Sequence, residues 1–376
     1  MHILLPGPTP VPKAVEQAML TAMSDHRGSL FATVQKRVLQ QLADLFQAPS
    51  ANHVAVLPAS GTGGLEAAIQ NLFMPGDDVL VVETGLFGRR FGEVAQSLEL
   101  KIDRLEIPWG QAFKPQDILA RVADHPYRGI LVTHNETSTG VLNPVEELST
   151  QLLTVPERPL LVVDSISGVP SIPLRLSGAI DAIVAASQKG FMCPPGLAIL
   201  AFSDGGREAI LANRPGRFYF DLNPYLKGHL PYTPAVSLWY GLDAALDLLA
   251  QEGEKARFAR HRLLRDMVRA YGAAGGLSLL VEESHASPTV TALGLPASLK
   301  PGDVRRHAEE RGLQIAGALG PWHDSAIRIG HVGAIDVGDL WAGLGLLAPE
   351  LLYPEDALKA AYQVATQKLI AGGHPS

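Results

Sequence analysis

The sequence contains a single cysteine, Cys193, in 376 residues. One thiol excludes an internal disulfide framework and a multi-cysteine zinc site, and it suits a reducing compartment. No run approaches the roughly 20 consecutive apolar residues of a membrane-spanning helix. The first residues, MHILLPGPTPVP, lack a basic segment, and Pro6, Pro8, Pro10 and Pro12 break their apolar stretch, so they do not read as a secretory signal. The ending GGHPS is not a peroxisomal address. A soluble cytoplasmic protein is expected. Positive charge is also scarce: 31 Lys+Arg against 38 Asp+Glu leave a net charge of −7. That is no electrostatic footprint for nucleic acid or an acidic membrane. Charged residues are 18% and hydrophobic residues 47%, which excludes a disordered chain. At roughly 100–200 residues per domain, two domains are expected.

Residues 1–12 read as an extended arm, followed by helices over about Pro12–Met23 and Phe31–Gln47. Short apolar runs then recur at 53–58, 78–83, 129–134, 159–164 and 182–187. Helical stretches fill most gaps: Leu65–Phe73, Gly88–Leu98, Gln116–Ala123 and Val145–Leu153. Apolar strands separated by helices predict an α/β fold with a mainly parallel sheet covered on both faces. GLAILAF (196–202) follows too closely for a crossover helix and is expected to enter the sheet antiparallel. Residues 214–235 form a Pro/Gly/aromatic loop. After it come helices over about Val236–Gln251 and Glu254–Tyr271, strand-like LSLLVE and PTVTALGL, a helix near Asp303–Arg311, the run AIRIG and two terminal helices. The expected division is an arm at 1–20, a large domain at 21–235 and a smaller α+β domain at 236–376.

Ligands of open α/β sheets bind outside the carboxyl ends of the strands. Three segments stand there. ASGTGGLEAAIQ (59–70) places glycines between a strand and a helix, either an anion cradle or a plain turn. No GK[ST] follows, and Glu66 occupies the third glycine position of a dinucleotide fingerprint, which disfavours a nicotinamide-dependent dehydrogenase. Asp164 ends an apolar run, as a buried partner for a cation or as a turn cap. Lys189 follows another apolar run, as a nucleophile with a lowered pKa or as a snorkelling side chain. Together, in this order, they are what pyridoxal phosphate requires: a phosphate cradle, a carboxylate for the pyridine nitrogen and a lysine for covalent attachment.

With these segments in view, the chain resembles the class V branch of fold-type I pyridoxal-phosphate enzymes, closest to alanine/serine–glyoxylate (pyruvate) aminotransferases. LLPGPTPVP, LPASGTGGLEAA, ETGLFGRR, THNETSTGVLNP, VVDSISG, SQKGFMCPPGL, YTPAVSLWY and IRIGHVG occur in family order from residue 4 to residue 333. The resemblance implies that Lys189 carries the cofactor and that Asp164 partners its pyridine nitrogen. Ser60, Gly61, Thr62 and Gln188 would hold the phosphate. Phe87 would stack on the ring, where the family often has Trp, and Thr137 would bond near O3′. Tyr232 and Thr233 would reach the phosphate of the neighbouring subunit in a homodimer with shared sites. Arg328 would bind the substrate carboxylate, for which a guanidinium fork is suited, and Gly7 would line the substrate pocket.

The implied reaction moves an amino group from a small L-amino acid, serine or alanine, to glyoxylate or pyruvate, by alternating half-reactions. Phosphonate, ureidoglycine or aspartate-type aminotransferases, a cysteine desulfurase and a non-catalytic homologue are the alternatives. No metal is expected. His26, His134 and His331 lack ligand spacing and read as packing or loop residues, and Cys193 as a small apolar one. The run 254–269 reads as a solvated helix face.

Overall fold

The computed structural model describes residues 1–213 and 216–371. Arg214 and Pro215, which open the long loop, and the final GGHPS lie outside the described residues.

Along the chain, β1 (His2–Leu4), α1 (Lys13–Met19) and α2 (Ser29–Phe46) lead into an alternation. It runs β2 (Val54–Leu57), α3 (Gly61–Leu72), β3 (Asp78–Glu83), α4 (Leu86–Ser97), β4 (Lys101–Glu106), α5 (Pro115–Asp124) and β5 (Gly129–Thr133). A two-stranded hairpin, β6 (Asn135–Glu136) and β7 (Val141–Leu142), precedes α6 (Val145–Leu152), β8 (Leu160–Asp164), β9 (Ile180–Ala186), β10 (Ala198–Phe202) and α7 (Asp204–Ala212). The remainder is α8 (Val236–Glu252), α9 (Glu254–Ala274), β11 (Ser278–Leu279), β12 (Val290–Gly294), α10 (Pro301–Glu310), β13 (Leu313–Gly317), β14 (Ala326–Gly330), α11 (Val337–Leu347) and α12 (Pro354–Ala371).

Seven strands form the larger sheet in the order β2-β10-β9-β8-β5-β3-β4. Only β10 runs antiparallel to its neighbours, as its short connection from β9 required. Alternate residues serve opposite faces. Leu80 and Val82 meet the α2, α5, α6 and α8 side, while Val79 and Val81 meet α3, α4 and α7. The layers are therefore helix, sheet, helix, as the apolar strand runs predicted. Helix α8 packs on α1 and α2, and its Trp239, Leu242 and Leu246 enter the core of the larger sheet.

The second sheet has the order β1-β13-β14-β12-β11 around its own core of Leu264, Val268, Leu293, Ile327 and Leu344. The first residues of the arm belong to it: His2 pairs with Leu313 and Leu4 with Ile315 in a parallel ladder.

Two element boundaries and one whole strand show how the structure departs from the sequence expectation, each for its own reason. Helix α1 ends at Met19 instead of Met23, because Leu20 and Met23 find nothing to pack on and stay exposed. Helix α3 starts at Gly61, four residues before Leu65, because Ser60 caps it. Strand β4 was not expected at all. KIDRLE carries charge at four of its six positions, and it lies at the sheet edge, where charge discourages further pairing.

Candidate functional site

Strands β8 and β9 are neighbours at the centre of the larger sheet, with Asp164 opposite Val184. Asp164 is the last residue of β8, and Lys189 lies three residues past the end of β9. The turn from β2 into α3 opens at the same edge. The three segments line one cleft of about 150 Å³. All the expected cofactor residues face it except Tyr232 and Thr233: Ser60, Gly61, Thr62, Phe87, Thr137, Asp164, Gln188 and Lys189. A larger cleft of about 810 Å³, beside Trp109, Lys114 and Arg269, holds none of them. The smaller one is the candidate site, because buried ionisable groups converge there.

At the anion end, Ser60 Oγ accepts from the Gly63 amide at 3.2 Å and starts α3. The amides of Gly61 and Thr62 have no partner among the described residues. They sit on the positive end of the helix dipole. A Cβ on Gly61 would lie 2.6 Å from Ile166 Cδ1, so only glycine lets the turn close under that side chain. Gln188 Oε1 is buried without a partner. A half-turn of its amide offers a donor to the same place. Free amides, a helix terminus and an orphaned amide side chain fit a phosphate group.

At the ring end, Asp164 is buried and its Oδ1 accepts from the Ile166 amide at 2.9 Å. Burial raises its carboxyl to about 7, and the nearby Glu136 charge adds to this against the Ile166 amide, Lys189 and Arg90. A buried carboxylate with spare acceptor capacity fits a pyridinium N–H. Lys189 Nζ donates to the Pro6 carbonyl at 2.7 Å. Burial, then the Arg328 charge, lowers this amine to about 8, with Asp164 opposing. The arm lies over it: a Cβ on Gly7 would stand 2.7 Å from Lys189 Cε. Thr9 bonds the Lys189 carbonyl at 3.2 Å and holds the arm in place.

Arg328 lies on β14 and is mostly buried. Its Nε donates to the Gly317 carbonyl at 2.9 Å and its Nη1 to the Thr137 carbonyl at 2.7 Å. These bonds fix the fork while Nη2 bonds no described residue. Burial lowers its pKa to about 10, which leaves it charged at neutral pH. Tyr232 stands apart, stacked on Tyr219 at 5.0 Å with its hydroxyl on the Phe218 carbonyl. Thr233 beside it is exposed. This pair does not join the cleft of its own chain.

Several residues of the site were not singled out from the sequence. Arg90 faces the cleft with its guanidinium 5.2 Å from the Phe87 ring centre. Its signal was available, since three residues beyond Phe87 is the same helix face. Asn135 lines the cleft and donates to Ser167 Oγ at 2.8 Å and Thr289 Oγ1 at 2.9 Å. Its neighbour Glu136 is fully buried beneath α4. Both lie in the HNETSTG segment, but their partners are remote in sequence. Two of the three histidines, His134 and His331, are buried and held by hydrogen bonds. His134 bonds Ser165 Oγ, and His331 bonds the Pro288 carbonyl and Thr291 Oγ1. Cys193 is buried, which pushes its thiol up to about 12 and removes the exposed thiolate that a desulfurase needs.

Comparison with known proteins identifies the family. The family described as aminotransferase class V matches residues 6–320. A protein of a Synechococcus species, named soluble hydrogenase, small subunit, is 35% identical over 92% of this chain and 91% of its own length. The L-aspartate–glyoxylate aminotransferase of Paracoccus denitrificans is 34% identical, over 93% and 90%. The serine–glyoxylate aminotransferase of Hyphomicrobium methylovorum is also 34% identical, over 95% and 90%. Among solved structures, ureidoglycine–glyoxylate aminotransferase from Bacillus subtilis superposes with a TM-score of 0.89 at 27% identity, covering 97% of this chain and 98% of that one. The chain therefore belongs to the class V aminotransferases, and it is a transaminase dependent on pyridoxal phosphate.

Proposed function

We propose that the donor is a small L-amino acid, serine or alanine, and that the acceptor is a 2-oxo acid such as glyoxylate or pyruvate. The observation that carries this reading is the closeness of the arm to Lys189. Gly7 leaves no space for a methyl group beside the amine. The names of two relatives support glyoxylate as the acceptor, and one of them supports serine as the donor.

In the proposed mechanism, Ser60, Gly61, Thr62 and Gln188 hold the cofactor's phosphate, and Phe87 covers its ring. The bound cofactor supplies an electron sink for the charge left at the substrate's Cα. Asp164 holds a proton on the ring nitrogen and so deepens that sink. Lys189 Nζ would take the proton from the substrate's Cα and pass it to the cofactor's C4′ carbon, and the second half-reaction would run this transfer in reverse. Arg328 holds the substrate carboxylate through its remaining N–H groups, and Thr137 orients the ring hydroxyl region.

The test is an absorbance titration of the holoenzyme with L-serine, L-alanine and then L-aspartate. Serine or alanine is expected to bleach the visible band, and glyoxylate or pyruvate to restore it. Bleaching by aspartate alone would replace this reading with a dicarboxylic donor. That second reading is favoured by Arg90, a second arginine that lines the cleft.

The lowered pKa of Lys189 gives a separate expectation. The neutral amine attacks the cofactor's carbonyl, so reconstitution of the apoprotein should accelerate about tenfold from pH 6 to 7. It should level off above about 8, where the amine is already neutral. A rate still climbing tenfold per unit near pH 9.5 would reveal an ordinary lysine.

We also propose a cytoplasmic homodimer in which Tyr232 and Thr233 serve the partner's phosphate. Phe218 and Tyr219 next to Tyr232 are exposed apolar surface that a second copy would cover. Sedimentation should give a dimer, and an active monomer would refute the shared site. No helix among the described residues is long and apolar enough to cross a membrane.

A further inference from the structure

We infer that Glu136 is a positioning residue, fixing Phe87 over the cofactor by holding the first turn of α4 from below. This inference rests on the reading of the cleft as a pyridoxal-phosphate site. Glu136 itself is fully buried and does not line the cleft.

The geometry is specific. Glu136 Oε2 accepts from the Phe87 and Gly88 amides, both at 3.0 Å. Its Oε1 accepts from the Ser138 amide at 3.0 Å and from Ser138 Oγ at 2.7 Å. Ser138 Oγ in turn accepts from the Leu86 amide at 3.0 Å. Three amides at the start of α4 are thereby taken by one turn of another segment. Helix α4 needs this, because its own N-cap residue is Gly85, which has no side chain to cap with. That glycine is also what admits Glu136: a Cβ there would lie 2.6 Å from its carboxyl carbon. The same turn reaches the other end of the site, since the Thr137 carbonyl holds Arg328. Glu136 thus sets the ring-covering aromatic in register with the carboxylate-binding arginine.

All four partners donate, which matches a carboxylate that only accepts; burial pushes the Glu136 carboxyl up, and the hydrogen bonds from Ser138, Gly88 and Phe87 oppose that rise by favouring the ionised form. A glutamine keeps the shape but must turn its NH₂ toward one pair. It would face either the two α4 amides or the Ser138 amide, and a donor then opposes a donor.

The test compares wild type, Glu136→Gln, Phe87→Ala and the double variant as purified holoenzymes. The readouts are the cofactor dissociation constant, the visible circular dichroism of the bound cofactor, and hydrogen exchange at residues 86–88. Glu136→Gln is expected to weaken cofactor binding about tenfold, to change the visible dichroism and to speed exchange at 86–88. In the Phe87→Ala background the same substitution should change cofactor affinity less than about twofold, because its effect passes through that ring. A tenfold loss in both backgrounds would mean a merely structural role and would overturn the inference. So would wild-type affinity and dichroism in Glu136→Gln. Should Glu136→Gln fail to fold, Ser138→Ala removes one donor to the carboxylate. It should lower affinity about threefold in wild type and not in Phe87→Ala, and equal losses in the two would count against the role. None of these readouts uses an amino donor, so failure of every donor to react would refute the proposed function and leave this test standing.

Discussion

Lys189→Ala is expected to reduce turnover by about ten-thousandfold or more while leaving the protein folded. Two contributions are lost at once: covalent attachment of the cofactor, and the group that moves the Cα proton, itself worth about 10²–10⁴-fold. The proposed phosphate cradle uses other residues, so the variant should still bind pyridoxal phosphate, now without a covalent bond that borohydride could trap. Folding should tolerate the change. In the apoprotein the buried amine is held near 8 against its ordinary 10.5, so below pH 8 its ammonium form opposes folding. That penalty is lifted as pH rises from 8 toward 10.5, and alanine removes it outright. A melting temperature within a few degrees of wild type, with activity gone, is the expected pair of results. Appreciable turnover in this variant would dismiss Lys189 as the catalytic base.

Asp164→Asn should bind cofactor with an affinity near wild type and yet slow the donor half-reaction by about a thousandfold. Asparagine keeps an oxygen for the Ile166 amide, so the turn after β8 is preserved. It cannot hold a proton on the ring nitrogen as an anion does, and developing charge at Cα then has a poorer sink. Stopped-flow absorbance on single turnovers isolates this step. A half-reaction near the wild-type rate would refute the role. Stability supplies a second sign to check. Burial raises the folded-state carboxyl to about 7 from 3.8, so the folded apoprotein binds the proton more tightly than the unfolded chain. Stability is therefore lost as pH rises from about 4 to 7. The neutral asparagine has no such loss, and at pH 8 its apoprotein should melt no lower than wild type.

The central strands could be read from the sequence because each is apolar on both faces, and a strand buried between two helix layers has no alternative. Asp164 and Lys189 were legible for the same reason, as charges standing at the ends of such runs. Strand β4 was not legible, because at the sheet edge its charges mask the pattern. Strand β1 was read as an arm, since three residues carry no periodicity and its ladder partner lies more than 300 residues away. The resemblance pointed to Phe87, Thr137 and Arg328 but gave no reason for their placement. That reason is the turn at 136–138, whose hydrogen bonds reach α4 on one side and Arg328 on the other.

The sequence by itself determined the layered α/β architecture, the antiparallel entry of β10 and the chemical kind of the site. Those follow from local periodicity, from connection length and from residue types whose chemistry is their own. Only the tertiary structure decided the state and surroundings of the site groups. It buried Asp164 and Lys189 enough to move their pKa values toward neutrality. It laid Pro6 and Gly7 over the lysine. It also placed a fully buried carboxylate under the helix that carries Phe87. Desolvation and hydrogen bonding depend on which surfaces meet, and those surfaces come from segments far apart in the chain.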